Sequence, residues 1–184
     1  MHFLPKNRFS IGSVGQARSA RPWRHSRRQG LTLREDGESR LIAVDTNVLV
    51  YAHRPELPQH EAAASRLVAL GESPARWAIP VFCLGEFIRV ITHPKLFNPP
   101  HSAREACEAL SRLLASPSVT VLSPGVGYPE LLAEAIREGN TVGNLVFDAQ
   151  IVALCREHGV SRLLTEDRDF DRFRGLSKER LAID

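Results

Sequence analysis

Residues 41–52 read LIAVDTNVLVYA, and they set an aspartate, Asp45, inside otherwise core-like sequence. The run LIAV has the length and apolarity of a short buried strand, and NVLVYA opens a helix. Asp45 therefore falls at a strand-to-helix junction. There it either caps the helix, as Asp and Thr commonly do, or sits on the rim where open α/β sheets place their sites, outside the carboxyl ends of the strands. This junction alone leaves both readings open.

Working outward, HEAAASRLVALGE (60–72) is an Ala- and Leu-rich helix with Gly71 at its close. WAI (77–79) is a strand, and Pro80 begins the helix PVFCLGEFIRVI, since proline suits a first helical turn. HSAREACEALSRLLAS, YPELLAEAIREG and NLVFDAQIVALCREHG are further helices, the last stopped by Gly159. VTVL (119–122) and SRLLT (161–165) are strands, and RLAI (180–183) near the terminus is the candidate fifth. Short strands separated by helical stretches imply parallel pairing through crossover helices. The expected fold is α/β, with a mostly parallel sheet of four to five short strands flanked by helices.

The chain has 184 residues, 43% of them apolar, enough for one domain with a real core. Cys83, Cys107 and Cys155 show no metal-binding spacing and are expected to be reduced core thiols, consistent with a cytoplasmic protein. No apolar run reaches the roughly 18 residues of a membrane span. Charge is uneven. Residues 1–40 hold nine Lys/Arg and three Asp/Glu, a net of +6, so with +3 overall residues 41–184 carry 3 − 6 = −3. That leader, rich in Arg, Ser and Gly as in RPWRHSRRQG, lacks a sustained apolar period and is expected to be disordered or weakly structured. A nucleic-acid-binding arm, a transit peptide and a misassigned start compete to explain it. The third is favoured, with Leu41 as initiator from a non-AUG codon, because Met1 is the sole methionine and regular structure begins at Leu41.

Three further acids stand out by position. At about 100° per residue, Cys155, Val152, Ile151 and Leu145 fall within about 60° of Asp148 on its helix. Phe147 and Leu154 extend the apolar arc, whereas Gln150 and Glu157 lie opposite. A buried carboxylate costs several kcal/mol unless it is paired or binds metal, so Asp148 is either an arginine's partner or a ligand. Glu86 lies among Phe82, Val90 and Cys83 on its own helix, with Arg89 close enough for a local ion pair. Asp167 follows the strand SRLLT and shares its rim with Asp45. Four acids on separate elements thus occupy places where core or rim would meet a cleft.

IAVDTNVLVYA, the helix around CLGEFIRVITHP, GNLVFDAQIVALCREHGV and LLTEDRDFDRF, in this order and at these separations, resemble the PIN-domain ribonucleases. Within them they resemble the VapC toxins of toxin–antitoxin pairs. The resemblance runs from about Leu41 to near the end and implies a three-layer PIN-like fold over residues 41–184. By resemblance, Asp45, Glu86, Asp148 and Asp167 match the family's acidic quartet. The stretch TEDRDF also offers Glu166 and Asp169. Its register points to Asp167, with Asp169 as a supporting residue that fixes the loop and Phe170 packed inward. Thr46, Asn47 and Thr165 match small polar positions that hold the acids by hydrogen bonds.

Crowded carboxylates need cations, and hard oxygen donors suit Mg²⁺ or Mn²⁺. In this picture Asp45 and Asp148 are the central metal ligands, and Glu86 and Asp167 complete the shell directly or through water. The resemblance implies an RNA substrate, a small antitoxin covering the site and a homodimer. Arg54, Arg89, Arg137, Arg168, Arg172 and Arg174 are candidate phosphate contacts. His53 and His93 lie near the motifs but read more readily as packed or capping residues. Ala62, Leu67 and Leu70 serve either a dimer or the core. The rival functions are a PIN nuclease of RNA processing that is not a toxin and a non-catalytic binding module that should have lost acids. An aspartyl phosphatase is disfavoured by Asn47, which stands where a second aspartate would be needed.

Overall fold

The computed structural model describes residues 41–182. The expectations for the basic leader, and the last residues of RLAI, lie outside the described residues.

Five strands form one sheet: β1 (Ile42–Val44), β2 (Trp77–Pro80), β3 (Val119–Leu122), β4 (Arg162–Leu164) and β5 (Ser177–Glu179). Their order is β3-β2-β1-β4-β5. Every pairing is parallel, with Ile42 opposite both Trp77 and Arg162, and Leu164 opposite Glu179. Six helices flank the sheet: α1 (Thr46–Ala52), α2 (His60–Glu72), α3 (Val81–Ile91), α4 (Ala103–Leu114), α5 (Tyr128–Gly139) and α6 (Leu145–Glu157). A short 3-10 turn, Arg168–Arg172, follows β4. The central strands are apolar along their whole length because helices cover a parallel sheet on both faces, and β1 and β2 are buried at every residue.

From β1 the sheet grows to one side through β2 and β3, and the chain then returns to the other side of β1 for β4 and β5. β1 is thus the place where the order reverses, and its carboxyl end opens the crevice that such reversals create. Asp45 stands there. Its N–H still donates to the Leu164 carbonyl (3.1 Å), and the N–H of Thr165 donates to the Glu179 carbonyl (3.0 Å), so the sheet ladder fixes both residues.

Three details differ from the expectations. The fifth strand is Ser177–Glu179, ahead of RLAI, where backbone pairing to β4 outweighs the apolar pattern. Pro80 is the last residue of β2 and caps α3 instead of lying in its first turn. Cys107 is exposed, while Cys83 and Cys155 are in the core as free thiols. In addition, Leu67 and Leu70 are buried and Ala62 packs against the same core, so these positions face inward.

One close contact joins the fold to the crevice. A Cβ at Gly139, the last residue of α5, would lie 2.7 Å from a ring carbon of Phe173 and 2.8 Å from Thr141 Cγ2. Phe173 is buried beside Phe170, and the two rings anchor the 3-10 turn that follows Asp167. Gly139→Ala gains about 1 kcal/mol of helix propensity, but overpacking costs about 1–3 kcal/mol. The expected result is a net loss of stability, read as a lower midpoint in urea unfolding with an unchanged slope.

Candidate active site

Asp45 ends β1, and its carboxylate is almost fully buried. Oδ1 accepts from the Thr46 backbone N–H (2.7 Å). Oδ2 accepts from Asn47 Nδ2 (2.7 Å) and from the Thr165 hydroxyl (2.7 Å). Thr165, wholly buried after β4, also accepts from the Asp167 backbone N–H (3.0 Å) and from Asn47 Nδ2 (3.0 Å). Asn47 Oδ1 in turn accepts from the Glu166 backbone N–H (3.3 Å). The two loops that leave β1 and β4 are therefore laced together through Asp45, Asn47 and Thr165. Asp45 is the N-cap of α1 as well, so both readings of the opening motif hold at once.

Above this web lies a cleft of about 620 Å³ whose polar lining includes Glu86, Asp148, Asp167 and Asp169. Carboxylate oxygens of Asp148, Asp167 and Asp169 lie within 4.8 Å of one another. Glu86 comes from α3, and its Oε2 accepts from the Thr46 hydroxyl (2.9 Å). Oε1 pairs with Arg89 at 3.2 Å, on an exposed edge where such pairs contribute little. Asp167 caps the 3-10 turn and accepts from the Asp169 backbone N–H (2.8 Å). Arg172 pairs with Asp169 at 2.7 Å. Among the described residues, no cationic side chain pairs with Asp45, Asp148 or Asp167.

The electrostatic consequence is direct. Burial, with Glu86 and Asp167 nearby, raises the Asp45 carboxyl to about 6 despite its hydrogen bonds. Burial and then the charges of Asp167, Asp45, Asp169 and Glu86 raise Asp148 to about 7. Such an all-oxygen, mutually repelling set fits a hard divalent cation.

The structure thus brings the four predicted acids to one place, but it arranges them differently from the expected central pair. Asp148, Asp167 and Asp169 form the tight group at the cleft, and Asp45 lies beneath it in the hydrogen-bond web. The Asp169 N–H donates to Asp167 Oδ1, and its carboxylate contributes an oxygen to the group. Among the arginines, Arg54 is not a free phosphate contact. It is buried, pairs with Glu56, His101 and the Pro99 carbonyl, and stacks 4.0 Å from the Phe97 ring centre. Arg137 and Arg172 bond backbone carbonyls, while Arg168 is exposed and has no side-chain partner among the described residues. His53 packs edge-on to Phe87 and bonds the Leu49 carbonyl, and His93 accepts from the Lys95 N–H.

Two residues support the loop in roles the sequence reading did not assign, Glu166 having stood there only as an alternative to Asp167. Arg180 donates to the carbonyls of Thr165 (2.8 Å) and Asp167 (3.1 Å), and Glu166 accepts from the Leu181 N–H (2.6 Å). Both tie the loop bearing Asp167 to the C-terminal segment. No periodicity marks a contact between a loop and the segment after the last strand, so no sequence signal pointed to them.

The PIN domain family model matches residues 42–176. VapC ribonuclease Mb2897 of Mycobacterium bovis and Ribonuclease VapC43 of Mycobacterium tuberculosis are each 35% identical over 136 residues, covering 74% of this chain and 92% of theirs. Among solved structures, VapC20 of Mycobacterium tuberculosis, described as a sarcin-ricin loop cleaving toxin, superposes with a TM-score of 0.55 at 24% identity. It covers 71% of this chain and 92% of its own. VapBC2 of Rickettsia felis gives a TM-score of 0.53 at 21% identity, over 77% of this chain and 98% of that one. A switch-point crevice lined by carboxylates, with the sequence likeness that accompanies it, places the chain in the PIN-domain family, among the VapC ribonucleases.

Proposed function

We propose that the chain is a metal-dependent endoribonuclease and the toxin of a toxin–antitoxin pair, with residues 41–184 as its nuclease domain and residues 1–40 as a separate basic leader. The observation that carries the metal-site reading is the group formed by Asp148, Asp167 and Asp169, which lines an open cleft, with Asp148 and Asp167 without cationic partners among the described residues. Its ribonucleic substrate and its partner, a small protein antitoxin, are supported by the VapC relatives. A homodimer and a cytoplasmic setting belong to the same reading. None of the described helices is long and apolar enough to cross a membrane.

In this mechanism Asp148 and Asp167, with Asp45, would hold a divalent cation such as Mg²⁺ or Mn²⁺. When bound, the cation supplies positive charge against the phosphate oxygens and acidifies water at the site. Thr46, Asn47 and Thr165 keep Asp45 oriented. Glu86, steadied by the Thr46 hydroxyl, accepts a hydrogen bond from the attacking water and aligns it with the phosphorus. Asp169 holds Asp167 through its backbone N–H, and Arg172 steadies Asp169. The exposed Arg168 is placed to meet the RNA backbone.

Three outcomes test this reading. Purified protein should cleave RNA with Mg²⁺ or Mn²⁺, stop on chelation and recover when metal is restored. Asp148→Asn should lower the rate by at least about 100-fold, since loss of metal charge at a transition state is worth several kcal/mol. Equal cleavage by parent and variant would reject the proposed role. pH provides a third check. Asp45 and Asp148 hold protons in the folded chain up to about 6 and about 7, whereas the unfolded chain releases them near 3.8. Protons bound in the folded state make metal-free stability fall as pH rises from about 4 to about 7. The thermal midpoint of the metal-free protein should drop across that window, and Asp148→Asn should flatten the drop.

A further inference from the structure

The cleft has an apolar wall as well. Besides its carboxylates it is lined by Phe82, Leu145, Phe147 and Ile151. Ile151 is buried, and Phe82 is half-buried with its ring 5.9 Å from that of Tyr128. Phe147 is different. On α6 it immediately precedes Asp148, it is 54% exposed, and it makes no ring contact among the described residues. The helical pattern put it on the edge of the apolar arc, yet the fold turns it to the cleft.

The charge of the lining makes this wall consequential. Four carboxylates line the cleft, and Arg89 is the one cationic residue there among the described residues, already paired with Glu86. A polyanion cannot be held in such a cleft by ion pairs of its own. An aromatic face can hold a nucleobase without regard to charge, a contact that typically changes binding about five- to 100-fold. Phe147 and Asp148 are neighbours along the chain, about 3.8 Å apart at Cα. Both residues line the same cleft, so a phosphate held at the acids has this aromatic ring within the cleft to take an adjoining base.

Resting on the nuclease reading above, we propose that Phe147 is a substrate-binding residue. It stacks an unpaired base of a nucleotide flanking the scissile phosphate and so favours RNA whose bases are free to leave the helix.

The test uses the full chain, Mg²⁺ and single-stranded oligoribonucleotides whose cleavage position has first been mapped. Each flanking nucleotide is replaced in turn by an abasic ribose. The expected result is that wild type loses about tenfold in kcat/KM at one of the two positions. Phe147→Ala should lose a similar factor on intact RNA and nothing further on that abasic RNA, while Phe147→Trp retains activity. Because the side chain is exposed, Phe147→Ala should leave the thermal midpoint unchanged. Losses from variant and abasic RNA that multiply would overturn the inference. So would full cleavage by Phe147→Ala, including the case in which that variant instead loses a protein partner. If wild type cleaves no RNA with metal present, the nuclease reading itself fails and takes this inference with it. Metal-dependent cleavage by wild type with no effect of Phe147→Ala sinks the stacking role alone.

Discussion

Asp45 is a buried carboxylate with no cationic partner among the described residues, and the rest of the site is arranged around holding it. Its oxygens take hydrogen bonds from the Thr46 N–H, Asn47 and Thr165. These bonds offset part of the desolvation cost and favour the charged form, yet burial still raises the carboxyl to about 6. Hydrogen bonds from neutral groups can orient a carboxylate, but they do not neutralise it. The neighbouring acids at the cleft add to the same imbalance. The protein spends stability to keep negative charge together at one spot, which is the expected signature of a site that waits for positive charge from outside.

The fold explains how such crowding is enforced. The parallel ladder carries Asp45 and Thr165 to the ends of adjacent strands, so the two cannot separate without breaking sheet hydrogen bonds. α3 and α6 then bring Glu86 and Asp148 to the same crevice from either side in sequence. Arg180 and Glu166 tie the remaining loop to the C-terminal segment. Asp45, Glu86 and Asp148 thus stand on elements packed into the core, and Asp167 on a turn anchored there by Phe170 and Phe173.

Much of this was legible in the sequence. Strand and helix patterns carry the physical demand for burial, and all six described helices and four of the strands follow from it directly. The acids were visible because each breaks its local pattern: Asp45 inside core-like sequence, Asp148 in the apolar arc of its helix. What could not be read was relative depth. A helical wheel ranks directions on one helix, but it does not say that Asp45 is buried away from the cleft lining while Asp169 joins Asp148 and Asp167 in it. The wheel likewise put Phe147 at the border of the apolar arc. Only the packed fold leaves that ring facing an open cleft. β5 was missed for a related reason: SKE has no apolar period, and its place is set by backbone pairing to Leu164. Arg54 misled because an exposed-looking arginine beside a motif turned out to be buried and stacked on Phe97.

The most direct test of the central claim is a crystal grown or soaked with Mn²⁺ and read by anomalous scattering. The account predicts a peak at the acidic cleft within about 2.0–2.2 Å of an Asp148 oxygen, shared with Asp167 or with Asp45, and absent in crystals of Asp148→Asn. A fully occupied cleft with no Mn²⁺ peak, or a guanidinium lying across these carboxylates in its place, would contradict it.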